Sequence, residues 1–123
     1  LKRMSAQITA AVRIISSILN DGILENIPHI VELSETVGRV VNICMTALIH
    51  RDLAEAARMN TYDDKIDTLF WTVRHEIADY LSTVRGHEEA ALDLLLAAKY
   101  MEKTGDHAVS ASRWVIFSIT GSR

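Results

Sequence analysis

Residues 59–87 read MNTYDDKIDTLFWTVRHEIADYLSTVRGH. Large or apolar side chains fall at Met59, Ile66, Phe70, Val73, Ile77, Tyr80 and Val84, with Asp63 taking the one remaining step. The steps alternate four and three, the spacing of one face of an α-helix and close to a heptad seam. Arg85-Gly86-His87 then breaks the helix. Upstream, Asp52 followed by Glu55 is a D-x-x-E capping box that starts it, with both acids at the positive end of the helix.

Working outward, the same periodicity continues on both sides. Downstream, Ala91, Leu95, Ala98, Glu102, Gly105, Val109, Ser112, Ile116 and Ile119 form the seam of a helix from about Glu88 to Ile119, closed by Thr120-Gly121. At 1.5 Å per residue it is about 48 Å long. Upstream, Ile30, Leu33, Val37, Val40, Cys44 and Leu48 mark a helix from about Ile30 to His50, with Pro28 suited to its first position. A further amphipathic stripe, Leu1, Met4, Ile8, Ala11, Ile15 and Leu19, predicts a helix that ends near Asn20-Asp21-Gly22. Short loops between long helices predict antiparallel neighbours. The expected fold is therefore all-α, an antiparallel up-and-down helical bundle.

Composition narrows the function classes. The 123 residues carry one Pro and five Gly, too few breakers for the many turns of a β-rich fold. Thirteen Lys/Arg against sixteen Asp/Glu leave a net charge of −3, which argues against a phosphate-neutralising nucleic-acid binder. The single cysteine, Cys44, can form neither an internal disulfide nor a Cys-based zinc site, and its place in the stripe marks it as a small buried hydrophobe. That usage suits a reducing compartment. The sequence has no apolar run near the roughly 20 residues of a membrane span, and no signal peptide. It opens without Met and with helical periodicity already running, as a fragment would.

Two acids interrupt the apolar seams. Asp63 and Glu102 each have a second acid four residues on, in Asp63-x-x-x-Asp67 and Glu102-x-x-x-Asp106. Side chains at i and i+4 share a helix face, so each helix projects two carboxylates in one direction. The pairs centre on residues 65 and 104, and the breaker near residue 85 lies midway. In an antiparallel hairpin the pairs therefore sit level. Four converging carboxylates suit hard cations such as Mg²⁺, Mn²⁺, Ca²⁺ or Fe³⁺. Gly105, between the second pair, either lets the helices approach closely or leaves room for an ion cluster. His107 points about 100° away around the helix and is at most peripheral. The competing reading is a solvated acidic face.

Other features carry less. His75-Glu76-Ile77-Ala78-Asp79 begins like a metalloprotease motif, but Asp79 stands where the second His is required. The E-x-x-H elements of di-iron carboxylate proteins are missing. Glu35 reads as a surface residue, and Trp71 and Trp114 as core or groove residues. No Gly-rich phosphate loop or nucleophile–base pair stands out.

Glu102-Lys103-Thr104-Gly105-Asp106-His107-Ala108 resembles the E-R-x-G-D-x-A signature of PhoU proteins. His50-Arg51-Asp52-Leu53-Ala54-Glu55-Ala56, continued by Asp63 to Asp67, is similar to that family's D…A…D-x-x-x-D helix, and Trp114 to Phe117 with Thr120-Gly121 to its C-terminal end. The likeness runs in register over residues 33–121. PhoU proteins contain two tandem three-helix repeats. On the resemblance, residues 1–28 are the third helix of a degenerate or truncated first repeat plus a linker, and residues 29–123 the second repeat. In the first, Lys2 and Ala6 stand where the acids belong and Ser5 replaces the Gly. The resemblance thus leaves only the second-repeat site intact.

The resemblance implies a cytoplasmic regulator, peripheral at the inner face of the membrane, that is not an enzyme. It would link a phosphate ABC transporter to a sensor histidine kinase and restrain phosphate-starvation signalling. Some family members carry multinuclear iron or zinc clusters on these acidic motifs, and homodimers are common. Asp63, Asp67, Glu102 and Asp106 are the expected metal ligands here, with Mg or Mn as further candidates. Two alternatives stand beside this: a PhoU-like domain appended to a sodium/phosphate cotransporter or other membrane carrier, and, ranked last, an enzyme using the carboxylates to activate water on a metal.

Overall fold

The computed structural model describes residues 26–121. Helix α1 spans His29–His50, α2 spans Leu53–Thr83 and α3 spans Glu88–Thr120. Each packs on both others, and two short loops, Arg51-Asp52 and Val84 to His87, make sequential neighbours antiparallel. The expected all-α up-and-down bundle is what forms. The helix expected at residues 1–20 lies outside the described residues.

Local chemistry explains each boundary. Pro28, at φ −66°, is the N-cap of α1 and so precedes its first residue. Asp52 caps α2, accepting from the backbone N–H of Ala54 at 3.0 Å and Glu55 at 3.3 Å. The capping box closes on one side alone. Glu55 turns to Arg58 at 2.7 Å, and the Asp52 N–H donates instead to the Ala47 carbonyl at the end of α1. Between these helices Arg51 adopts φ 50°, ψ 44°, the left-handed conformation that commonly ends helices. At the second turn Gly86 has φ +96°, where an L side chain is strained. Glu88 accepts from the Gly86 N–H at 3.0 Å, and its own backbone N–H, then that of Gly86, hold its carboxyl below the usual range.

The core joins all three helices. Ile30, Leu33, Val37 and Val40 of α1 meet Met59, Ile66, Val73 and Ile77 of α2 and Ala91, Leu94, Ala98 and Met101 of α3. Cys44 is buried among them, and burial pushes its thiol up, away from the reactive thiolate. Two details correct the seams read from spacing. Leu48 is 37% exposed, and Ala47 takes the buried place beside it. Helix α3 buries Leu94, Met101, Thr104, Ala108 and Val115 outside its predicted seam, and leaves Leu95, Ile116 and Ile119 of that seam only half-buried. It packs against two helices at once, so its buried face is wider than a single stripe.

Candidate metal centre

Helix α2 carries Asp63 and Asp67 one turn apart, and α3 carries Glu102 and Asp106 likewise. The helices are held close at this level by Gly105. A Cβ built there would lie 2.7 Å from Cδ1 of Ile66, the residue between the two α2 acids. The glycine thus serves close approach, one of the two readings of its place in the seam.

Asp63, Asp67 and Asp106 converge. Each offers a carboxylate oxygen, and the three lie within 4.8 Å of one another. Burial pushes the carboxyl of Asp67 up, and the charges of Asp63, Glu102 and Asp64 push it further, against a smaller opposing pull from Lys99. Asp106 is raised for the same first reason, then by Asp67, Asp63 and Glu102, and by a hydrogen bond with Asp63 that exists when a proton sits between them. A cluster in this state gains from any added positive charge.

Glu102 stands apart from the three. It is 9% exposed, and its Oε1 accepts from Lys99 Nζ at 2.7 Å, one turn earlier on α3. At the other end Arg113 approaches Asp63 at 3.7 Å and donates from Nε to Asn60 Oδ1 at 3.2 Å. Lys99 was legible as an i, i−3 partner of Glu102. The reach of Arg113 across to α2, fifty positions back in the chain, left no signal in the sequence. His107 and Glu35 are both exposed.

A family model described as the PhoU domain matches residues 30–115, which include every residue of this cluster. The chain belongs to the PhoU domain family. Its relatives include PhoU homologues named phosphate-specific transport system accessory proteins. That of Zymomonas mobilis is 27% identical over 79% of this chain and 41% of its own length. That of Deinococcus radiodurans is 28% identical over 76% of this chain and 45% of its own length. Homologue 1 of Mycobacterium leprae is 34% identical over 70% of this chain and 40% of its own length. The chain thus spans under half the length of these PhoU relatives. No solved structure matches it.

Within this PhoU domain the signature segment on α3 divides by side. Glu102, Thr104 and Gly105 are buried, whereas Lys103, Asp106 and His107 are exposed. Next to the acids, α2 and α3 enclose a cleft of about 380 Å³ lined by Phe70, Trp71, Arg74, Leu95, Leu96, Lys99 and Glu102. Trp71 is 51% exposed and Trp114, in a second cleft with Leu48 and Arg51, is 62% exposed. Both tryptophans are groove residues and neither is core. Among the described residues no helix is long and apolar enough to cross a membrane.

Proposed function

We propose that this chain is the second PhoU repeat, residues 29–123, of a non-enzymatic adaptor that regulates phosphate uptake and phosphate-starvation signalling. The observation that carries it is the PhoU domain match over residues 30–115, with relatives named as accessory proteins of phosphate-specific transport. That name favours the regulator over a domain appended to a carrier. Residues 1–28 would then be the end of a degenerate first repeat. The partners would be a phosphate ABC transporter and a sensor histidine kinase at the inner face of the membrane, with the protein acting as a homodimer in the cytoplasm.

We further propose that Asp63, Asp67 and Asp106 bind a metal ion, with Glu102 held in reserve by Lys99. The donor set fits. Oxygens 2.0–2.6 Å from a common cation stand at most about 5 Å apart, and these three lie within 4.8 Å. Carboxylate oxygen suits Mg²⁺ or Mn²⁺, and the PhoU resemblance adds iron or zinc. A cation here neutralises mutually repelling acids contributed by two helices, so it fastens α2 to α3. It also gives an acidic face a positive centre able to meet an anion.

Elemental analysis of the purified protein tests the site: stoichiometric metal is expected, lost in the D67A/D106A variant. Expression in a bacterium lacking its own PhoU protein tests the role. Starvation genes should be repressed again in phosphate-rich medium, and continued derepression with folded protein present would overturn it.

A further inference from the structure

Arg113 lies two helical turns beyond Asp106 on α3, and its side chain crosses to α2. There it meets Asn60 and Asp63, which lie one turn apart on the same face. The two contacts are unequal. The bond from Nε to Asn60, at 3.2 Å, has hydrogen-bonding length. The approach of Nη2 to Asp63 Oδ2, at 3.7 Å, is longer and purely Coulombic. The guanidinium is therefore anchored on a neutral side chain and leans toward the acidic one. The Arg113 side chain is 56% exposed, so it can turn outward without giving up a packed site.

We propose that Arg113 is a tethered resident cation of the carboxylate cluster, one that an incoming metal ion must push aside. The inference rests on the metal reading of Asp63, Asp67 and Asp106 and concerns how that site is regulated. Arg113 and a metal ion compete for the same carboxylate, Asp63. With the metal absent, the guanidinium compensates part of the acidic charge and keeps the cluster folded. With the metal present, two positive centres face each other a few ångströms apart, and the arginine side chain swings toward solvent. The site therefore fills at a higher metal concentration than its three carboxylates alone would need. Lys99 does the same for Glu102, at 2.7 Å, and keeps that fourth acid turned away.

The test compares the full chain with Arg113→Gln, which keeps a polar side chain without the charge, and with Arg113→Lys, which keeps the charge. Arg113→Met serves as a second neutral variant. Each protein is titrated separately with Mn²⁺ and Zn²⁺ by calorimetry, and melted with and without saturating metal. The neutral variants are expected to bind about tenfold more tightly, equivalent to ~1.4 kcal/mol, and Arg113→Lys to stay within about threefold of wild type. Metal-free, the neutral variants should melt below wild type; saturated, that gap should close or reverse. A purely structural arginine would lower both melting temperatures alike and leave the affinity unchanged. Metal binding by wild type with unchanged or weaker affinity in the neutral variants overturns the role of Arg113 and leaves the metal site standing. Failure of wild type and the neutral variants alike to bind either metal overturns the metal reading, and this inference with it.

Discussion

Ile66 and Gly105 set the spacing of the two acidic helix faces: a Cβ on Gly105 would stand 2.7 Å from Ile66 Cδ1. Ile66 lies between Asp63 and Asp67, and Gly105 between Glu102 and Asp106. The contact that brings α2 and α3 together is therefore level with the carboxylates it positions. Gly105→Ala gains about 1 kcal/mol of helix propensity and loses about 1–3 kcal/mol to overpacking. We expect a net loss of about 1 kcal/mol in urea denaturation. Ile66→Val alone should cost about 0.5–1.5 kcal/mol, but nearly nothing in the Gly105→Ala background, because it removes the clashing methyl. Strict additivity in that double-mutant cycle would contradict the contact.

The carboxylates should be unequal as metal ligands. Replacing Asp67 and Asp106 with Asn should reduce bound metal to background, measured by elemental analysis after dialysis. Glu102→Gln should retain most of it, since Lys99 already holds that side chain. Equal losses from all three sites would show that Glu102 leaves Lys99 and joins the cluster.

Stability should depend on pH in a direction opposite to that of a salt-bridged acid. The carboxyls of Asp67 and Asp106 are raised above their ordinary value of 3.8 in the folded chain. The folded state therefore binds these protons more readily than the unfolded state, and folding is favoured as pH falls. The penalty is fully present above the raised values, and it is relieved as pH drops through them toward 3.8. The metal-free protein should melt higher in mild acid than at neutral pH. Calorimetric scans should lose that trend in the Asp67→Asn/Asp106→Asn variant, while metal affinity in wild type falls over the same window.

Glu76 acts as a cap delivered from another helix. Its Oε1 accepts from the His29 backbone N–H at 3.3 Å, at the first residue of α1, and Oε2 meets His29 Nδ1. Pro28, the N-cap by position, makes no side-chain capping bond, so Glu76 takes that part. An acid there also faces the positive end of α1. Glu76→Ala should cost about 1 kcal/mol, the usual worth of a cap, read by urea denaturation. Amide exchange should quicken first at the start of α1.

Arg51 holds a left-handed backbone at φ 50° with a side chain that disfavours it. Arg51→Gly should stabilise the chain by about 1 kcal/mol, as glycine does at such helix ends. A loss of stability instead would mean that the Arg51 side chain, which lines the Trp114 cleft, contributes more than the strain removes.

Much of this was legible along the chain. The predicted seam of α2 matches its buried face at Met59, Ile66, Phe70, Val73, Ile77 and Tyr80, missing Ala56 and Leu69. One stripe served there because the periodicity of a long helix is a local property. It was incomplete for α3, which also buries Leu94, Met101 and Val115 and leaves Leu95, Ile116 and Ile119 half-buried. The i, i+4 acids and the breaker near residue 85 were enough to set the acidic pairs level. They could not say that Glu102 would turn to Lys99 and leave three oxygens together.

By itself, the sequence determined three long helices, their antiparallel order and the common height of Asp63, Asp67, Glu102 and Asp106. Those follow from spacing, breakers and the fixed rise of a helix, all of them local or additive along the chain. Tertiary structure alone decided which carboxylates converge, that Glu76 caps α1, and that Arg113 reaches Asp63. The last two contacts join residues 47 and 50 positions apart. They depend on how each helix is rotated about its axis and on the rotamer its packing leaves open, and neither is written in the periodicity.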